Sequence, residues 1–171
     1  MKKSILLVLL LAVGSLAVSM SIVGNPICVY ASESKDFVSG DYLYQVENGR
    51  AVVKAYTGAD ENLMIPDRFG GYPVSKIGEK VFFNNEIIKE VVLPDTVEVI
   101  EYGAFSYCRN LQCVKTGKGL RNIENSAFNH CESLTDISLQ DQLTTIGFEA
   151  FSNCRALKNI NLPISLEKID R

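Results

Sequence analysis

The side chains best suited to chemistry in this sequence are its five cysteines and its single histidine. Cys108, Cys131 and Cys154 stand 23 residues apart, Cys113 lies just off that series, and Cys28 is near the amino terminus. Thiols can bridge, hold metal or attack an electrophile, and each use makes its own demand on neighbours. A zinc site wants ligands in close pairs, which one histidine and evenly spaced cysteines do not supply. A nucleophile wants a base within hydrogen-bond reach, and His130 is the only imidazole. No catalytic residue, metal site or cofactor is expected, and neither is an enzyme.

The elements that place these residues come from a repeated phrase, clearest as AFNHCESLTDISLQDQLTTIGFE from Ala127. Copies begin at Ala104 and Ala150, with a looser one at Val81. Apolar columns run through all of them: Phe82, Phe105, Phe128 and Phe151, then Ile88, Leu111, Leu134 and Leu157, then Val91, Val114, Ile137 and Ile160. Two more follow, Val97, Leu120, Leu143 and Leu166, and Ile100, Ile123, Ile146 and Ile169. Such a period marks a solenoid whose coils bury their apolar edges against their neighbours. The run Leu134-x-x-Ile137-x-Leu139 alternates like a strand, and one strand per copy predicts a parallel stack. The Ala-Phe-x-x-Cys run is expected to return as a short α or 3₁₀ turn. The predicted fold is therefore an α/β solenoid of 23-residue units.

The phrase Ala-Phe-x-x-Cys-x-x-Leu-x-x-Ile-x-Leu-Pro-x-x-Leu-x-x-Ile-Gly resembles the BspA-type leucine-rich repeat of bacterial surface proteins, over about Asp41 to Arg171. Departures are Asn85 in place of the first Cys, and Gly117 and Gln140 where Pro94 and Pro163 stand in other copies. The resemblance implies a secreted or surface-exposed module that adheres to host or matrix proteins. A structural spacer or wall-associated front end of a longer protein is the alternative.

Within the repeats, Cys108, Cys131 and Cys154 form an inward column, expected as free buried thiols. The distance between rungs would also permit a bridge. Cys113 precedes inward Val114 and should face outward, with His130 an exposed turn residue on the opposite side. The surface left for a partner is the outer strand face. It reads Lys89 and Glu90, then Gln112, Cys113 and Lys115, then Thr135, Asp136 and Ser138, then Lys158, Asn159 and Asn161.

Met1 to Ala31 is read as a secretory signal: Lys2 and Lys3, an uncharged apolar run from Ile5 to Val23, Pro26, and small residues at Val29 and Ala31. That run is long enough to serve as an uncleaved anchor instead. Residues 32–64 are read as a polar leader followed by a β-hairpin cap, with Tyr42 to Tyr56 turning at Asn48-Gly49. Tyr42, Tyr44 and Tyr56 are candidates for a sugar-stacking patch, although a cap is the plainer role. Residues 65–171 are read as four to five rungs. The last ends at Arg171 with no capping turn, exposing Leu157, Ile160, Leu162 and Leu166. Either the chain continues, the simpler account, or that edge pairs with a partner, self-association included.

With Lys2 and Lys3 lost from the 17 basic residues, 15 remain against 20 acidic ones. No basic cluster suits nucleic acid, and none suits a membrane once the signal is gone.

Overall fold

Each 23-residue copy makes one coil with three sides, because its apolar positions fall at three places that all turn inward. A computed structural model of the chain describes residues 35–170. The expected signal at 1–31 lies outside the described residues.

The amino-terminal part is β1 (Asp36–Ser39), β2 (Tyr42–Glu47) and β3 (Arg50–Tyr56). The hairpin β2–β3 forms as expected, with Asn48 at φ 50° and Gly49 at φ 75° in its turn. Part of the expected polar leader forms a strand, since Asp36–Ser39 pairs antiparallel with β2. Gly40 at φ 57° allows the tight return, and Phe37 stacks on Tyr44 at 5.4 Å.

β4 (Asn62–Met64), β5 (Arg68–Phe69) and β6 (Tyr72–Ile77) follow, with Gly70-Gly71 turning the antiparallel pair β5–β6. β3 lies parallel to β6, so the hairpin feeds directly into the solenoid. Tyr42 and Tyr44 are buried, and their rings meet Phe69 at 5.0 and 5.2 Å. They cap the first coil and offer no face to a sugar.

Two parallel stacks then run the length of the repeats. One is β4, β7 (Glu90–Val92), β9 (Cys113–Lys115) and β11 (Asp136–Ser138). The other continues from β6 through β8 (Val99–Ile100), β10 (Asn122–Ile123), β12 (Thr145–Ile146) and β13 (Lys168–Ile169). The isoleucine column of the sequence is thus a second strand, too short to show an alternating pattern. The first stack starts at Asn62, three residues ahead of the rung expected from Ile65.

The third side carries no helix among the described residues, which corrects the expected helical return. Two positions per coil take a left-handed backbone: Lys80, Gly103, Ser126 and Glu149, then Asn84, Tyr107, His130 and Asn153. Four residues apart, they interrupt any helical run. Backbone N–H groups that a helix would use internally reach the next coil instead. Phe105 N–H donates to Ala127 O, and Phe128 N–H to Ala150 O, each at 2.8 Å. Inside this side the Phe rings stack at 4.8, 5.2 and 5.4 Å from Phe82 to Phe151, within the favourable range for offset rings. Tyr56 joins the column at 5.5 Å from Phe82, tying the cap to the repeats.

Candidate interaction surface

The strand face is built by register. Glu90, Cys113 and Asp136 align across β7, β9 and β11, as do Val92, Lys115 and Ser138. Between these rows, Val91, Val114 and Ile137 point into the core and are buried. Gln112, Lys115, Thr135 and Asp136 are exposed, and Glu90, Cys113 and Ser138 half-buried. Lys89, Glu90, Gln112, Cys113, Lys115, Thr135, Asp136 and Ser138 are therefore brought together on or beside one sheet.

Lys158, Asn159 and Asn161 are exposed at the equivalent place in the fourth copy. The chain there forms no strand, so they extend the face without its backbone ladder. Two residues unmarked by the sequence join the other end: β4 places Asn62 beside Glu90 and Met64 beside Val92. Met64 is 74% exposed, an apolar point on an otherwise polar surface. Its copy lacks the Leu-x-x-Ile phrase, so only the match of Leu63 with Val91 could have signalled it.

Charges on this face pair diagonally between rungs. Lys89 Nζ lies 2.8 Å from Glu61, and Lys115 Nζ 2.5 Å from Glu90. Exposed pairs of this kind contribute little stability but fix the charge pattern. Cys113 Sγ is 3.8 Å from Asp136 Oδ2. Partial burial first, then the carboxylates of Asp136 and Glu90, push its thiol pKa up, opposite to what a nucleophile needs.

The other described cysteines, Cys108, Cys131 and Cys154, are free thiols, as expected. Each donates to the carbonyl of a phenylalanine one coil back: Cys108 to Phe82 at 3.0 Å, Cys131 to Phe105 and Cys154 to Phe128 at 3.1 Å. Burial pushes Cys108 up to about 12. Each thiol thus adds a second bond to a carbonyl that already accepts a turn N–H, from Asn85, Cys108 and Cys131 in turn.

His130 corrects the reading of a plain exposed residue. Its side chain is only 27% exposed, and its ring stacks on Tyr107 at 4.5 Å. Nε2 lies 3.2 Å from the Asn153 amide, and Nδ1 3.9 Å from Glu132. It sits on the turn side, with Cys113 on the strand side, so no Cys–His pair forms. Among the described residues no group of His, Cys, Asp or Glu could hold a metal ion, and no helix could cross a membrane.

At the last copy Leu162 is 46% exposed, whereas Leu157, Ile160 and Leu166 are half-buried against the core. Ile164 and Ile169 are the other exposed apolar residues there.

Residues 62–171 match, in six copies, the family described as BspA type leucine-rich repeat region. The chain is similar in structure to the Treponema pallidum leucine-rich repeat protein TpLRR, at 29% identity and TM-score 0.76, over 80% of this chain and 64% of that one. A leucine-rich repeat protein of Bacteroides ovatus matches at 27% identity and TM-score 0.70, over 80% and 37%. A leucine-rich cell surface protein of Faecalibacterium prausnitzii matches at 25% and 0.56, over 80% and 50%. The chain thus spans less than two thirds of each of these proteins. No curated protein sequence matches it.

Proposed function

The chain belongs to the BspA-type leucine-rich repeat family, a protein-interaction fold, and from that premise we propose an exported module that binds an extracellular host or matrix protein through its strand face. The observation carrying this reading is the parallel register of β9 and β11, which aligns Cys113 with Asp136 and Lys115 with Ser138, with Gln112 and Thr135 exposed just ahead of those strands. The description of the F. prausnitzii relative as a cell surface protein agrees with an extracellular setting. Cleavage after Ala31 would leave a leader and cap over 32–64 and repeats over 65–171. Intact-mass measurement of secreted protein should then find Ser32 as the first residue, and recovery of the uncut chain in membranes would favour an anchor.

Few coils and no large aromatic anchor on the face make single contacts weak, so binding gains strength from display in many copies. The test immobilises the chain at rising surface density and exposes it to serum and matrix proteins. A variant with Lys115, Asp136 and Lys158 reversed in charge runs in parallel. Retention should rise steeply with density, fall in the variant, and fall with salt. Equal retention by both proteins removes the strand face from this role. Retention by neither favours a structural spacer.

A further inference from the structure

The turn side ends in a surface that neither the core nor the strand-face reading uses. It spans Phe83 to Ile87 in the first copy and recurs in the next three. Contacts between coils fix its rows. Asn110 Nδ2 donates to Glu86 O at 2.6 Å, Ser133 N–H to Arg109 O and Ala156 N–H to Glu132 O, the last two at 3.2 Å. Glu86, Arg109, Glu132 and Arg155 therefore share one position on successive coils, alternating in sign. At one strand spacing per coil the row is roughly 14 Å long. Glu86, Arg109 and Arg155 are exposed, and Glu132 is half-buried. Arg109 Nε lies 3.8 Å from Glu132, but the outer two, Glu86 and Arg155, make no ion pair among the described residues.

The two ends of this surface differ in bulk. The first copy exposes two large apolar side chains, Phe83 at 48% and Ile87 at 43%. Phe83 meets Tyr107 edge-on at 5.5 Å, and Tyr107 stacks on His130 at the centre. The matching positions of the fourth copy are Ser152 and Ala156, both small.

We infer that this surface pairs with a second copy of the chain, antiparallel about a two-fold axis between the Tyr107 and His130 coils. Such an axis reverses the order of the coils while keeping each row opposite itself. Glu86 then faces Arg155 of the second copy, and Arg109 faces its Glu132, so every charge in the row meets its opposite. Phe83 and Ile87 face Ser152 and Ala156, where small side chains leave room for them. Symmetry makes each of these contacts twice. Parallel pairing would instead set Glu86 against Glu86 and Arg109 against Arg109, like charges throughout. A patch four coils by five residues covers less than the ~800 Å² per partner of a standard interface. The dimer is therefore weak and forms at high local concentration.

Sedimentation equilibrium of the secreted chain reads the association directly. Mass should rise from monomer toward dimer, and no further, as concentration climbs to roughly 1 mM. Glu86→Arg and Arg155→Glu should each weaken the dimer about tenfold, because each sets like charges against one another at both ends of the pair. The double reversal should restore it. Within one chain these two residues are three coils apart, so the rescue can arise only between copies. Lys115→Glu, on the strand face, should leave the dimer unchanged. Thermal melts should show all these variants folded, since every substituted side chain is exposed. A chain that stays monomeric, or whose mass climbs past the dimer, overturns the inference. So does a dimer that either single reversal leaves intact, that the double reversal fails to restore, or that Lys115→Glu weakens as much.

Discussion

At the scale of single residues, the cysteine column and His130 owe their identities to backbone geometry more than to reactivity. His130 takes φ 58°, a conformation that L residues adopt at a cost of about 1–2 kcal/mol, less for Asn. Asn84 and Asn153 occupy the same place in other copies. His130→Ala should therefore be less stable than His130→Asn by about 1 kcal/mol, since both lose the stack on Tyr107. Urea melts of the two variants measure the difference. Cys108 makes a pH prediction. Its pKa rises from 9.0 to about 12 on folding, through burial. Its stabilising contribution is complete below pH 9 and is lost as pH rises toward 12, at about 1.4 kcal/mol per pH unit. Melts between those limits should show Cys108→Ala with a shallower decline than the parent. With the signal removed, thiol titration of native protein should find Cys113 the accessible one among the described cysteines, reacting more slowly than a free thiol at the same pH because its pKa is raised.

At the scale of elements, a coil closes by fitting its corners to the coil before. A Cβ on Gly117 would stand 2.2 Å from the Pro94 carbonyl oxygen, which is backbone and cannot swing away. Gly117→Ala should cost about 1–3 kcal/mol through that crowding, with no effect on outward side chains. The inward columns, the hairpin at Asn48-Gly49 and the thiol ladder were all legible in the sequence, because a 23-residue period repeats each constraint. The turn side was misread because Ala-Phe-x-x-Cys has helix-compatible residues, while its left-handed positions vary among Lys, Gly, Ser, Glu, Asn, Tyr and His. Phe37 lacked a readable partner because Tyr44 reaches it only after the chain turns at Gly40. Of the candidate face, the positions on β7, β9 and β11 were legible by register. Met64 was not, since its copy departs from the phrase, and Lys158–Asn161 looked like a strand that the last coil does not form.

At the scale of the whole molecule, the repeats separate two duties: inward columns hold the coils, and outward positions are left free to vary. The reading of this protein as a binding module rests on that separation. Leu134 is fully buried between Leu111 and the Leu157 position, so Leu134→Ala should cost about 2–5 kcal/mol. Lys115, Asp136 and Lys158 are exposed, so reversing their charges should leave stability within about 1 kcal/mol. The most direct measurement takes both variants through urea melts and, under conditions where each is folded, through retention of extracellular protein on a densely coated surface. The account predicts that Leu134→Ala melts earlier and still binds, whereas the charge reversal melts with the parent and loses binding. A charge-reversed protein that melts with the parent and binds as well as it does would contradict the claim.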